Sequence, residues 1–415
     1  MGIIKEDAKK IIHSSIQRVL SDSAVKRALE GKSFSGKVVV IAIGKAAWNM
    51  ANAAAEILGD DIEKGIVLTK YHHSQGPIKN FTVLEASHPL PDEKTITGTE
   101  VIIEAVSDLS PEDTVIFLVS GGGSALFEKP AGNLGLKDLL EVTDQLLKCG
   151  ADIVEMNTIR KHLSAVKGGK FAALCAPAQV YTIALSDILG DRPDSIASGP
   201  TCPDLSTCKD AFAIVEKYGL SLTEEMKQQL FVETPKEVLN NTMLITGSVN
   251  ELCIAAASEA KALGYEPLIL STFVDCEAKE AGRFLAAIGK TIQKDGFPLK
   301  APCAIICGGE TVVRITGKGK GGRNQELALS AAASITGMDN IVIGAVGSDG
   351  TDGPTDAAGA LVDGYTKETL DEAGISIVDI LAENDSNRAL AITDALVMTG
   401  PTGTNVNDLY FLLCK

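Results

Sequence analysis

Residues 38–50 read VVVIAIGKAAWNM: six apolar residues in unbroken succession stop at Gly44-Lys45 and pass into an alanine-rich amphipathic run. A short, β-branched run without polar alternation marks a strand covered on both faces. Such strands belong to parallel sheets with helices above and below. Residues 114–127, TVIFLVSGGGSALF, repeat the pattern of apolar strand, glycine turn and incipient helix. In sheets of this kind ligands bind beyond the carboxyl ends of the strands, where these glycine-rich loops lie.

Working outward, strands are expected over 65–69, 82–85 and 180–186, and helices over 46–58, 94–106 and 136–149. In the opening segment Ile4, Ala8, Ile11, Ile12, Ile16 and Val19 fall on one helical face. Residues 1–35 are therefore read as helical, and as a candidate to pack on a second domain. A polar, weakly patterned stretch at 220–241, with Pro235 inside it, marks the expected boundary. It divides an N-terminal domain, 1–235, from a C-terminal domain, 236–415. The second half alternates again, with strands expected over 243–246, 267–271, 304–307, 311–315, 341–346, 396–399 and 409–413. Its helices are expected over 250–263, 277–293 and 324–333. The fold class is α/β, with two three-layer domains and a cleft between them, the first Rossmann-like with a mainly parallel sheet.

The 415 residues carry 54 acidic and 38 basic side chains, a net charge of −16. That field repels polyanions, so nucleic acid and anionic membrane surfaces are poor partners, while small anions require local positive charge. No apolar run reaches the roughly 18 residues of a membrane span. The first twenty residues lack the apolar core of a signal peptide, which points to a cytoplasmic protein. Nine scattered cysteines with no CxxC pair fit reduced thiols.

The loops after the strands carry the chemistry. Gly44-Lys45 and Gly121-Gly122-Gly123-Ser124 combine glycine with a cation or a hydroxyl, as an anion cradle requires, although no Walker sequence is present. Arg160, Lys161, His162, Lys167 and Lys170 form one basic cluster, and Lys318, Lys320 and Arg323 another. A solvated face is the plainer reading of each. Asp187 and Asp191 follow the strand at 180–186, where two carboxylates suit a divalent cation or a base toward a hydroxyl; helix capping is the alternative. Glu310, and Asp349 in the run Gly347-Ser348-Asp349-Gly350-Thr351-Asp352, place further carboxylates at strand ends. Asn405 lies in a Gly/Thr/Asn loop at 399–408 that is equally a plain turn. Gly317, Gly319 and Gly322 match GxGxxG literally, but after an expected hairpin rather than in a βαβ unit, which weakens a dinucleotide reading. Trp48, His72, His73 and His88 read as packing or loop residues.

Eight segments in order strengthen one reading. They are GKAAWNMA (44–51), SGGGSALF (120–127), NTIRKHLSAVKGGK (157–170), LSDILGDRPDSIASGPT (185–201), GGETVV (308–313), GKGGRNQELALS (319–330), GSDGTDGPTDAAGA (347–360) and TGPTGTNVNDL (399–409). Together they resemble the class II glycerate kinases, the glycerate 2-kinases whose C-terminal domain is called MOFRL. The resemblance implies a mixed sheet in the second domain. It also implies transfer of the ATP γ-phosphoryl to the 2-hydroxyl of D-glycerate with Mg²⁺. The catalytic positions it implies are Lys45, Asp187, Arg323 and Asp349. Binding positions are Gly44, Gly121, Gly122, Gly123, Ser124, Arg160, Asp191, Glu310, Asn324 and Asn405, with Asp349, Asp191 and Glu310 as metal candidates. A homo-oligomer is left open. Two alternatives stand beside it: an NAD(P)H-dependent hydroxypyruvate reductase, and a non-catalytic sugar-acid sensor.

Overall fold

In the computed structural model, which describes residues 2–415, the chain forms two compact units. The first comprises residues 21–186 and 191–246; the second comprises 2–20, 187–190 and 247–415. Twelve strands build two six-stranded sheets: β1 Val38–Ile43, β2 Ile62–Lys70, β3 Phe81–Ala86, β4 Thr114–Val119, β5 Gln179–Leu185, β6 Asn241–Gly247, β7 Glu266–Val274, β8 Cys303–Gly309, β9 Ile341–Gly347, β10 Gly359–Asp363, β11 Leu396–Val397 and β12 Asp408–Cys414.

The first sheet has the order β3-β2-β1-β4-β5-β6, and the pairs among β1 to β5 are parallel. β1 and β4 are buried at every residue, as their unbroken apolar runs require. Ile116 and Leu118 pack with the helix Ala47–Leu58, while Phe117 turns to the opposite face against Phe127 and Phe171, at 5.8 and 4.7 Å between ring centroids.

The second sheet has the order β11-β10-β9-β12-β8-β7 and is mixed: β7 and β8 are parallel, and the other pairs antiparallel. Strand alternation sends Ile341, Ile343, Tyr410 and Leu412 toward the helices Ala278–Asp295 and Arg323–Ser334. Val342, Val346, Leu409 and Phe411 go to the other face, against the helices Gly2–Val19 and Val249–Ala262. The opening helix thus belongs to the second unit, whereas Ser21–Leu29 joins the core of the first.

Three expectations change. The strand read at 243–246 is β6, the edge of the first sheet, and the segment expected as a polar linker carries Met226 and Leu230 into a core of that unit. The contact boundary therefore falls after Thr246 rather than at 235/236. Residues 311–315 form no strand beyond an isolated bridge from Val312 to Glu277. β8 already pairs with β12 on one side and β7 on the other, so no edge is left for a hairpin partner, and Val312 and Ile315 stay exposed. Strand β10, five residues directly after an acidic glycine loop, was not anticipated.

Candidate active site

In the first unit the loops that end β1 and β4 are locked together. The Lys45 amide donates to the Gly121 carbonyl at 2.9 Å, and the Ala46 amide to Ser120 Oγ at 3.0 Å. Gly122 has φ +85°, and a Cβ there would lie 3.0 Å from the His88 ring and 3.2 Å from Lys45 Cγ. Only glycine takes that conformation cheaply, and its missing side chain lets His88 and Lys45 approach across the loop. His73 Nδ1 sits 3.0 Å from the Lys45 carbonyl oxygen. Burial, then the charges of Lys45, Lys70 and His73, hold His88 below the usual imidazole range. Of the loop amides, those of Gly123 and Ala125 are turned inward to the Ser120 and Gly122 carbonyls.

The basic cluster at 160–170 resolves into separate fates. Lys161 lies 3.2 Å from Asp204, Lys167 lies 2.8 Å from Glu128, and Lys170 donates to carbonyls at the end of the helix Ile153–Leu163. Burial pushes Lys170 down to about 8. Arg160 alone of these four cations makes no hydrogen bond or ion pair among the described residues, with Glu128 acting on it only as a nearby charge. It lines a cavity of about 140 Å³ with His88, Gly122, Ser124 and Glu128. Ser124 Oγ lies 3.2 Å from Ser198 Oγ, which donates to Asn157 Oδ1 at 3.0 Å. Ala197 and Ser198 both hold positive φ, 50° and 61°, a strain that proteins keep mostly where a site needs it.

The second unit gathers a different set. Arg323 opens the helix Arg323–Ser334 and is gripped on three sides. Its Nε and Nη2 donate to the two Asp408 oxygens at 2.6 and 3.1 Å, and its Nη1 donates to Glu310 Oε1 at 2.9 Å. Asp408 is buried, and Tyr410 Oη lies 3.0 Å from its Oδ2. Burial pushes the Asp408 carboxyl up to about 6, with Arg323 pulling it back, so the pair is charged at neutral pH.

Arg323 shares a cavity of about 630 Å³ with Asp349, Asp352, Glu326 and Thr311. Asp352 is spent as a cap, its oxygens accepting the amides of Asn324 and Gln325 at 3.1 and 2.9 Å. Asp349, half-buried, keeps one oxygen on the Thr351 amide at 3.0 Å. The loop carrying it is pinned by 399–407: Thr402 Oγ1 donates to the Ser348 carbonyl at 2.6 Å, and the Val406 amide to Ser348 Oγ at 2.8 Å. Gly350, at φ +85°, fits because a Cβ would meet the Gly400 carbonyl oxygen at 2.0 Å.

The expected residues therefore divide by unit. Gly44, Lys45, Gly121 to Ser124, Arg160 and Asp191 lie in the first. Asp187, Glu310, Arg323, Asn324, Asp349 and Asn405 lie in the second, where Asn407 Nδ2 donates to the Asp187 carbonyl at 3.0 Å. Asn405 Oδ1 accepts the Asn407 amide at 3.3 Å. Of the metal candidates, Glu310 already accepts from Arg323, while Asp349 lines the cavity. No preformed cluster of three metal-ligating side chains surrounds Asp349 among the described residues. A single carboxylate at a roomy cavity fits Mg²⁺, which is usually held by one or two carboxylates plus substrate phosphates and waters.

The sequence reading sets His73 and His88 aside as packing or loop residues and gives Ser198 and Asp408 no role, while Asp352, expected among the carboxylates for a cation or substrate hydroxyls, serves as a cap. Asp408 left a signal: an aspartate opening the otherwise apolar strand DLYFLLC needs a buried cation. The literal GxGxxG proves to be a packing seam. The Thr316 and Gly317 amides donate to Asn384 Oδ1, the Gly319 amide to the Glu383 carbonyl and the Lys320 amide to Asp385, which leaves those amides committed. No described helix is long and apolar enough to cross a membrane.

Residues 7–231 match a family described as a domain of unknown function, DUF4147, and residues 303–408 match the MOFRL family. A D-glycerate 2-kinase of Thermotoga maritima is 51% identical over 406 residues, spanning 98% of this chain and 97% of its own length. A putative hydroxypyruvate reductase of Agrobacterium vitis is 43% identical over 385 residues, 91% of this chain and 87% of its own. The crystal structure of a glycerate kinase from Thermotoga maritima superposes with a TM-score of 0.97 at 50% identity, covering 100% of both chains.

Proposed function

The chain belongs to the glycerate 2-kinase family, and from that premise we propose that it transfers the γ-phosphoryl of ATP to the 2-hydroxyl of D-glycerate, giving 2-phosphoglycerate and ADP. Phosphoryl transfer asks little covalent chemistry of a protein: it must align two oxygens and neutralise charge on the moving group. The observation that carries this reading is Arg323, a guanidinium fixed by Asp408 and Glu310 at the wall of the cavity that Asp349 also lines.

In the proposed division of labour, Lys45 and Arg323 bind the glycerate carboxylate and the transferring phosphoryl. Asp187 orients or deprotonates the 2-hydroxyl. The loop Gly121 to Ser124, with Arg160, receives further anionic oxygens. Lys45 and Arg160 suit that role because neither makes a hydrogen bond or ion pair with a carboxylate among the described residues, Glu128 reaching Arg160 only as a nearby charge. Asp349 would hold Mg²⁺, which neutralises phosphate charge when bound. The setting is cytoplasmic and the partners are small molecules.

The name of the Agrobacterium relative keeps reduction of hydroxypyruvate as a second reading. Phosphorus NMR of the product formed from ATP and D-glycerate separates the two. A phosphomonoester at carbon 2 is expected. Hydride transfer from NADH to hydroxypyruvate without ADP formation from ATP and glycerate would replace the kinase reading, and tight glycerate binding without turnover would leave a sensor.

A further inference from the structure

The first unit holds a second cluster of ligating side chains that phosphoryl transfer does not use. His162 lies in the helix Ile153–Leu163, Cys208 is the first residue of the helix Cys208–Tyr218, and Glu233 lies in the loop that follows Glu224–Leu230. One ligand atom from each lies within 4.8 Å of the others, and no second group of three such side chains lies this close together among the described residues.

His162 makes the cluster more than a coincidence of polar residues. It is fully buried, its Nδ1 is 3.0 Å from the Thr158 carbonyl oxygen, and its Nε2 has no hydrogen-bond partner. A carbonyl oxygen can only accept, so Nδ1 carries the proton and Nε2 presents a bare lone pair. Burying such a lone pair without a partner costs on the order of 1–3 kcal/mol. Metal-bound histidines have this arrangement, with the distal nitrogen donating to a carbonyl and so fixing tautomer and ring orientation.

We infer that His162 Nε2, Cys208 Sγ and a Glu233 carboxylate oxygen form a binding site for a borderline-soft divalent cation of the zinc class, separate from the magnesium of the kinase reaction. Imidazole with thiolate selects zinc or cobalt over magnesium, which prefers oxygen alone. Around a tetrahedral zinc, donor atoms lie roughly 3.3–3.8 Å apart given bonds of about 2.0–2.3 Å, so the observed spacing closes with small side-chain rotations. The thiol releases its proton to solvent as the sulfur–metal bond forms. Three protein ligands leave a fourth position for water, and Cys208 and Glu233 are accessible enough to admit the ion.

Lys236 Nζ is 2.7 Å from Glu233 Oε2, the Cys208 amide donates to Glu233 Oε1 at 2.9 Å, and Lys170, Lys236 and Asp204 act on His162. A carboxylate has four acceptor sites; the Lys236 ammonium, the Cys208 amide and the Cys208 thiol use at most three, so one stays open to the ion. A bound cation would tie two helices and the 231–236 loop together.

Cobalt(II) titration of the full chain in excess Mg²⁺ tests this. A single equivalent should bind with a near-ultraviolet thiolate-to-cobalt charge-transfer band and the strong visible absorption of tetrahedral cobalt. Zinc should displace it and raise Tm. Cys208→Ser should abolish the band and weaken binding at least tenfold, Glu233→Gln should weaken it severalfold, and Cys276→Ser, at an exposed thiol in the second unit, should change nothing. Persistence of the band in Cys208→Ser, or absence of saturable binding in a folded wild-type chain, would overturn the assignment.

Discussion

Arg160 and Arg323 face cavities in different units and are treated in opposite ways. Arg160 makes no hydrogen bond or ion pair with a carboxylate, Glu128 reaching it only as a nearby charge, and Lys45 and Lys70 add positive charge in its unit. Arg323 is held by three hydrogen bonds to two carboxylates, with Asp349 on the same cavity wall. A cation without a partner recruits an anion from outside. A cation gripped by a buried carboxylate has had its direction set in advance, and its surroundings stay net negative. The first arrangement suits capture of anionic groups. The second suits a metal ion beside a guanidinium aimed at charge that develops during reaction.

The largest expected effect comes from breaking the gripped arginine. Arg323→Ala should lower kcat on the order of a hundredfold or more, since the contact proposed for it is one that strengthens in the transition state. Arg323→Lys keeps the charge but cannot span Asp408 and Glu310 together, so its kcat should lie nearer the alanine variant than the wild type. A lysine variant with near-normal kcat would show that charge alone suffices and would erase the contrast. Next in size is Lys45→Met. It should raise the KM of an anionic substrate roughly tenfold or more, the scale of a lost charge-assisted hydrogen bond. It leaves no carboxylate stranded, so Tm should stay close to wild type. A large fall in Tm would mean that Lys45 supports the fold rather than a ligand.

Those contrasts were only half legible in the amino-acid sequence. The first sheet could be read because β1 and β4 are apolar at every residue and each ends in glycine. The loops nominated there are the loops that meet. In the second unit TVVRI imitates a strand, and nothing local reveals that β12, almost a hundred residues later, takes one side of β8 while β7 takes the other. GALVD escapes notice because five residues after an acidic loop carry too little pattern. At the site, cations and glycines could be listed in advance, but partners could not. That Lys161, Lys167 and Lys170 are internally satisfied and Arg160 is not depends on Asp204, Glu128 and helix-end carbonyls supplied by tertiary packing. His88 shows the same limit: its closeness to Lys45 exists only because Gly122 intervenes.

The pH dependence sharpens the comparison from the second unit. Asp408 titrates near 6, so above that it is ionised and holds Arg323, and below it the carboxyl takes up a proton and loosens the grip. Raised folded-state affinity for a proton means that acid favours the neutral form without unfolding the chain, so the loss should appear in kcat before it appears in stability. A kcat profile falling tenfold per unit below about pH 6 is expected, and Asp408→Asn, with a lower plateau, should lack that limb. A limb unchanged in Asp408→Asn would assign it to another group.

The smallest effect probes the unpartnered side. His88 is pushed toward the neutral form by burial and by Lys45, Lys70 and His73, so at pH 7 it contributes a hydrogen bond rather than a charge. His88→Gln preserves that capacity and should change KM only severalfold, with kcat nearly constant. A bound polyanion neutralises those neighbouring cations and should raise the His88 pKa, which NMR titration of the imidazole with and without ATP reads directly. An upward shift places the nucleotide beside Lys45 and Gly122. A His88 pKa that ignores ATP would move the nucleotide elsewhere and leave this cluster to the glycerate carboxylate, an outcome that the same titration with glycerate would then have to produce.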